Sequence, residues 1–580
     1  MTWCADNALK ERYILSMIRK SPFVIAFCLN VLFFLLYLFL GQVKHGSLDD
    51  YFMSSVLTGA YGGEYDVHMY FVNAAYGYFL KLFYWLFPEV GWYFIFELIG
   101  TFAAFTAYTY VLIKKMGLRY GVSLSLLLLS SLTPDFYFQL SFTQCATAYT
   151  AAGILLVSVG LSKENRWLLV LGGLGLLAGS FMRWEGFLLG MPYLFYLLVM
   201  VWHGKRSGGK ESVVVLSVLF VVIAGLHYYD RSLYTEGEYK QYADYQPVRA
   251  YFGDGAFYDS ESTYDELEER GLSGKDLYTL QSWTFYDTDV FAIDSLKPII
   301  KISQNNLYSP NPVRMPVTFL MSVSRALMRS SGWCWTIFCL FLMLTLSKKA
   351  NLYPWVSLSF VAISIGYLLL VNRLVYHVES GIWLYAIVCS IAFMSRDKFS
   401  QNFAVLQKWN RVIPVILVLM SAYFAYFTMA EQVHVKNKKH LIETVEVPEN
   451  WQMFLDYAHD HQDDVFILSF DRYKSLGTIH NPPYKSIEPS SWNNIFSWGY
   501  WNIYLPAMVK EYQKRGITNP IKDIVRDNVY TLEDDNRPSL DDFYERHYHK
   551  KLDVDTVKTF GDVMLLKYYL REETVKNGEE

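Results

Sequence analysis

The stretch SPFVIAFCLNVLFFLLYLFLG, Ser21 to Gly41, carries no charged side chain. As a helix it extends about 30 Å, the thickness of a bilayer's hydrocarbon core. It is too long and too aromatic for the apolar core of a cleaved leader, and no small-residue cleavage site follows, so it reads as a retained first membrane helix. The rest of the chain repeats this character. Of its 580 residues 53% are hydrophobic, 18% aromatic and only 18% charged, below the quarter usual in soluble domains.

Apolar runs bounded by charge or turn residues number about eleven, which predicts a polytopic α-helical membrane protein. The runs cover residues 22 to 41, 92 to 113, 120 to 138, 142 to 161, 167 to 182, 186 to 202, 212 to 229, 332 to 346, 353 to 371, 380 to 394 and 412 to 430. Basic residues assign an orientation. With the amino end inside, Lys10, Arg12, Arg19, Lys20, Lys114, Lys115, Arg119, Lys163, Arg166, Lys205, Arg206, Lys210, Lys348, Lys349, Arg396, Lys398, Lys408 and Arg411 fall on the cytoplasmic side. Only Lys44, Lys81, Arg183 and Arg373 occupy the short loops facing the other way, as the positive-inside rule requires.

This orientation puts the soluble mass outside. Residues 1–430 form the transmembrane domain, including an outer loop at 42–91 and an acidic outer loop at 230–331, and residues 431–580 form a small extracytoplasmic α/β domain. In the acidic loop, Ser262 or Thr263 followed by Asp265 and Glu266, and Ser273 followed by Asp276, mark helix starts. In the tail, Trp451 to Ala458 and Asn502 to Arg515 read as helices and Val465 to Phe470 as a strand. Val554 to Leu570, centred on Gly561-Asp562, reads as a β-hairpin.

Several function classes are excluded. A formal net charge of −4 does not suit nucleic-acid binding. No Gly-Lys-Ser/Thr phosphate loop is present for ATP-driven transport, and no Gly-x-Ser-x-Gly elbow for a serine hydrolase. All six cysteines except Cys4 lie in or beside apolar runs, so no disulfide framework exists and they read as small packed residues. The soluble segments carry no glycosylation acceptor, which favours a bacterial envelope.

The chemistry-bearing stretch directly after the first helix is Ser47-Leu48-Asp49-Asp50-Tyr51. Adjacent carboxylates at a membrane surface can bind a divalent metal, orient an acceptor hydroxyl or act as a general base. Spacing alone is equally satisfied by Asp49 or Asp50 capping a helix that begins at Tyr51. Further along come Gly62-Gly63-Glu64-Tyr65-Asp66-Val67-His68, an aromatic amphipathic stretch from Tyr70 to Phe87-Pro88, a second apolar run closed by Lys114-Lys115, and a third broken at Thr133-Pro134-Asp135-Phe136.

This order, over residues 20 to 190, resembles the amino-terminal half of the GT-C type integral-membrane glycosyltransferases, a class that includes protein O-mannosyltransferases and lipid A aminoarabinose transferases. Two local departures stand out. Val67-His68-Met69-Tyr70 replaces the Lys-Pro-Pro-Leu stretch common there, and Phe96-Glu97 stands where an Arg commonly opens the second span. The resemblance implies a GT-C-like fold and inverting transfer of a sugar from a polyprenyl-phosphate donor. It makes Asp49 or Asp50 the acceptor-activating or metal-coordinating carboxylate, with Asp135 as its partner. Mg²⁺ or Mn²⁺ held by Asp49, Asp50 and Asp135 is compatible with this and is not required.

A lipid-linked phosphosugar also needs cations at the membrane surface to hold its departing phosphate. Arg183, in Met182-Arg183-Trp184-Glu185, Arg325 and Arg329 before the eighth run, and Arg373, in Asn372-Arg373-Leu374-Val375-Tyr376-His377-Val378-Glu379, are the candidates. Each is also explained by snorkelling or by an ion pair such as Arg183 with Glu185. Glu64, Asp66, His68, Glu185, His377 and Glu379 are candidate acceptor-binding or supporting residues. Glu97, inside an apolar run, is a functional candidate by its place alone.

The expected activity is therefore sugar transfer onto an envelope glycan, lipid or protein at the outer face of the bacterial inner membrane. An O-antigen-type polymerase is one alternative, and a transporter or lipid-linked oligosaccharide flippase another. Transporters of that kind show repeated halves, which this asymmetric run of spans lacks.

Overall fold

A computed structural model of the chain describes residues 21–571 apart from 41–42, 139, 204–208, 255–260, 308–313, 346–351, 372–373, 395–408, 410, 443–447, 477–481, 501–502 and 534–539. Every apolar run found in the sequence lies in a helix. Among the described residues, eight helices are long and apolar enough to cross a membrane: Pro22–Leu40, Trp92–Tyr137, Phe142–Lys163, Trp184–His203, Gly209–Ser232, Tyr353–Leu370, Tyr376–Phe393 and Val412–Ile442. Arg314–Met328 and Ser330–Thr345, bent by 78°, make a ninth if taken together. The expected eleven differ because Arg166–Met182 has only 17 residues and because two expected spans lie within the Trp92–Tyr137 element.

That element is not a straight rod. Gly117 breaks it with φ +76°, a left-handed conformation that costs other residues a Cβ clash. The rings of Phe105 and Phe136 then lie 5.3 Å apart, whereas a straight helix would hold them about 46 Å apart. Trp92–Tyr137 is a helical hairpin.

Burial sorts the bundle into centre and rim. Phe142–Lys163 is the most enclosed span and Tyr376–Phe393 the next, while Gly209–Ser232 and Pro22–Leu40 turn most of their apolar surface outward. Such outward apolar side chains, Phe39 and Val221 among them, are what lipid contact requires. The central helix meets Arg166–Met182 along a seam of small residues. A Cβ on Gly172 would lie 2.7 Å from the backbone nitrogen of Val157, so the two backbones approach as closely as glycine permits. We expect Gly172→Leu to abolish recovery of folded protein in detergent, read by monodispersity on size exclusion.

At one end of the bundle lies a five-stranded sheet. Strands β1 (Val465–Leu468), β2 (Ile495–Ser497), β3 (Val529–Leu532), β4 (Leu552–Phe560) and β5 (Val563–Leu570) run in the order β2-β1-β3-β5-β4. The β1–β2 and β1–β3 pairs are parallel and the β3–β5 and β4–β5 pairs antiparallel. Strand β1 is buried along its whole length, as a central parallel strand should be. The β4–β5 hairpin turns at Gly561, φ +60°.

The tail shares its core with both outer loops. One hydrophobic core joins Phe52, Val56 and Tyr61 from the first loop, Tyr242, Tyr245, Phe285 and Leu296 from the long loop, and Trp451, Phe466 and Ile467 from the tail. An ion pair fastens the same layer. Ser273 caps the Gly274–Gln281 helix in a capping box with Asp276. Arg546 and His547, from the Leu540–Tyr548 helix, reach Asp276 at 2.5 and 2.8 Å.

Burial pushes the Asp276 carboxyl up, and the hydrogen bonds from His547 and Arg546 outweigh it, holding the group down at about 2. Its unfolded value is about 3.9, so the stabilisation is complete above pH 4 and is lost as pH falls toward 2. Asp276→Asn removes the charge from two partly buried partners and should destabilise this layer by about 2–3 kcal/mol at pH 7. Denaturant unfolding of the two proteins at pH 7 and pH 2.5 checks both statements, because the difference should shrink at the lower pH.

Candidate functional site

The site begins where the chain leaves the Pro22–Leu40 helix. Gly46 donates its backbone N–H to the Leu140 carbonyl at 2.7 Å, pinning this segment beside the start of the central helix. Ser47 then caps the helix Leu48–Leu57, accepting from the Asp49 nitrogen at 3.1 Å. The cap is thus Ser47, and both aspartates lie in the first turn rather than ahead of it. Adjacent residues on a helix point about 100° apart, and here that angle sends the two carboxylates to different surroundings.

Asp50 points into the bundle and is completely buried. Its Oδ1 accepts from the Tyr93 hydroxyl at 2.9 Å and from the Phe142 N–H at 3.1 Å, so it sits on the positive end of the central helix. Beside it lie His45 and Glu97, also buried, with His45 Nδ1 3.3 Å from Glu97 Oε2. One potential ligand atom from each of the three residues falls within 4.8 Å of the others. The rings of Tyr51 and Phe94 close over His45 at 4.9 and 4.8 Å. Burial raises the Asp50 carboxyl well above the usual carboxylate range, against the hydrogen bonds from Tyr93 and Phe142. Burial also pushes His45 down to about 3.

Asp49 is half-buried and faces the sheet layer. Its Oδ1 accepts from the Tyr500 hydroxyl at 2.8 Å. Asp135 is elsewhere again, accepting from the Tyr376 hydroxyl. The expected metal set of Asp49, Asp50 and Asp135 is therefore not assembled: among the described residues, the grouping able to hold an ion is His45, Asp50 and Glu97. The physical reason is the helix geometry, which lets only one of two adjacent aspartates face inward.

Arg183 lies near the same helix end. Its guanidinium donates to Thr143 Oγ1 at 2.5 Å, one residue beyond the N–H that holds Asp50. It packs over the rings of Phe142 and Phe71 at 5.1 and 5.8 Å and stands 3.6 Å from Glu185, so the ion pair expected from the sequence is present. His377 lies within electrostatic reach of both Arg183 and Asp49.

Arg183 and Glu185, with His227 and Arg231, line a polar cavity of about 160 Å³. None of the three aspartates lines it. Next to it runs an apolar cleft of about 970 Å³ between the Pro22–Leu40, Ala74–Leu86 and Arg166–Met182 helices and the Trp92–Tyr137 hairpin. Phe181 lines both.

The other candidates scatter. Arg329 pairs with Glu379 at 3.1 Å and covers the Tyr376 ring at 4.5 Å, so it belongs to the Asp135 cluster. Arg325 is exposed on the Arg314–Met328 helix. Arg373 lies outside the described residues. His68 Nδ1 is 2.6 Å from Asp66 Oδ1, its ring stacks on Tyr239 at 3.6 Å, and Tyr239 donates to Asp66 Oδ2. That trio ties the first loop to the long loop. Glu64 is exposed in the intervening turn.

Sequence reasoning missed His45, which has no neighbour at a metal-binding spacing, and gave Glu97 no partner. No protein-family model, no curated protein and no solved structure matches the chain. What the fold and the site define is a helical bundle with membrane-crossing dimensions, capped by a composite α/β layer.

Proposed function

We propose that this protein transfers a sugar from a polyprenyl-phosphate carrier to an acceptor hydroxyl at the outer face of the bacterial inner membrane. The observation that carries the reading is the junction at Phe181 of an apolar cleft with an arginine-lined cavity. From Phe96 to Tyr110, both in the cleft wall, one helix advances about 21 Å, which covers most of a bilayer's apolar depth. A polyprenyl tail lies in such a cleft while its phosphate meets Arg183 and Arg231. The volume matches the upper end of ligand pockets, roughly 300–1,000 Å³.

In this reading Arg183 holds the phosphate as it departs, its planar fork suiting two phosphate oxygens. Asp49 is the general base. Of the two aspartates near this helix end it is the one not sealed in; it lies outside the cavity lining, and His377, in electrostatic reach of both Asp49 and Arg183, marks the side on which an acceptor touching Asp49 meets the donor. The acceptor oxygen forms its bond to the anomeric carbon as the bond to the phosphate oxygen breaks, and Asp49 takes the hydroxyl proton. Asp50 is too enclosed for that step.

Ala103 lies exposed in the cleft wall, so Ala103→Trp should fill it without disturbing the polar groups. With purified full-length protein and a panel of polyprenyl-phosphate sugars, this variant should raise KM for long-chain donors at least tenfold and leave short-chain donors nearly unaffected. Equal KM changes for both would reject the cleft as the tail site. Product-free uptake of the same compounds into vesicles would instead favour a flippase.

A further inference from the structure

The sugar-transfer reading leaves unused an enclosed cluster of ionisable groups, His45, Asp50 and Glu97. Its side chains are sealed from solvent. Apart from the 3.3 Å approach of His45 Nδ1 to Glu97 Oε2, the ring nitrogens of His45, Oδ2 of Asp50 and the carboxylate oxygens of Glu97 make no well-formed hydrogen bond. Buried polar atoms are nearly always satisfied, and each orphan costs about 1–3 kcal/mol, more when charged. Three side chains that each bring one potential ligand atom within 4.8 Å of the others therefore indicate a missing common partner. Water satisfies such sites only where several donors and acceptors surround it, and this cluster has acceptors in excess.

The geometry points to a divalent transition-metal ion of the zinc class held by His45, Asp50 and Glu97. Charge supports this. Two carboxylates and a neutral imidazole sum to −2, which a divalent cation cancels, removing the penalty for burying like charges together. Donor chemistry supports it too. An imidazole with two carboxylates suits Zn²⁺, whereas Mg²⁺ and Ca²⁺ take oxygen ligands. The ligand atoms span up to 4.8 Å, so they close by about 1 Å to reach Zn–N and Zn–O bonds near 2.0–2.2 Å. The His45 to Glu97 edge, at 3.3 Å, already has a coordination-polyhedron length.

The hydrogen bonds that Asp50 accepts from Tyr93 and Phe142 orient the carboxylate, as supporting shells do at metal sites. The ion would join three separate pieces of chain: the segment after the first helix, the Leu48–Leu57 helix and the second turn of the Trp92–Tyr137 hairpin. Its role is to lock Asp50 inward, so that Asp49 is presented to the sheet layer. The metal set expected from sequence shares only Asp50 with this one.

The test uses full-length protein in detergent micelles. Elemental analysis after incubation with Zn²⁺ and desalting should find about one zinc per chain, and less than a tenth of that in His45→Ala and in Glu97→Gln. Asp49→Asn, which changes the neighbouring carboxylate, should keep the zinc. Loading wild-type protein with Co²⁺ should give visible absorption that Zn²⁺ displaces, a readout that needs no variant to fold. Wild-type protein that takes up neither ion, or variants that keep wild-type zinc, would overturn the assignment and leave protons as what neutralises the cluster.

Discussion

Under the proposed sugar transfer, Arg183→Ala is expected to lower the rate by about 10²–10³-fold, the loss typical when one fixed donor to a developing anion is removed. The expected size follows from its surroundings. The guanidinium packs against the stacked pair Phe71 and Phe142 and is fastened by Thr143, so it needs little reorganisation as the leaving phosphate gains charge. Arg183→Lys should recover only part of the loss, because an ammonium keeps the charge and lacks the planar fork. Thermal unfolding of both variants separates catalysis from folding: a melting temperature within a few degrees of wild type assigns the loss to the phosphate. Full transfer activity in Arg183→Ala would remove the cavity from the mechanism.

Asp49→Asn is expected to lower the proposed transfer by about 10²–10⁴-fold, the contribution of a positioned general base. The substitution is gentle structurally. An asparagine Oδ1 still accepts from the Tyr500 hydroxyl that now meets Asp49 at 2.8 Å, so the contact with the sheet layer survives while the basic oxygen is lost. Tyr500→Phe is the complementary change. It removes that contact and keeps the carboxylate, and its effect should be at least tenfold smaller. If Asp49→Asn were fully active and Tyr500→Phe inactive, Asp49 would be a strut between layers and the base would lie elsewhere.

The parts of this molecule that chain-local rules govern were legible beforehand. Apolar runs ended by charge gave the helices, the Ser273 and Asp276 spacing gave a capping box that is present, and Gly561-Asp562 gave the hairpin turn. The Gly117 hairpin was legible as two runs separated by Lys114 and Lys115. The candidate site was legible only in part. Asp49 and Asp50 were found as a pair, and the pairing itself misled, since neighbours on a helix diverge. His45 meets Glu97 across a turn, a helix and a juxtamembrane segment, and no sequence pattern encodes that contact. Tyr500 reaches Asp49 from 451 residues away, where only tertiary packing decides.

The layer assembled from the first loop, the long loop and the tail has a consequence for biogenesis. Its earliest strip, Phe52 to Tyr61, emerges from the ribosome hundreds of residues before Phe466 and Ile467, against which the shared core is packed. Until synthesis nears its close, those aromatic side chains stay uncovered, a condition that invites aggregation and chaperone capture. Truncations removing β3 to β5 should therefore be cleared by cellular proteases even though every membrane helix has already been made.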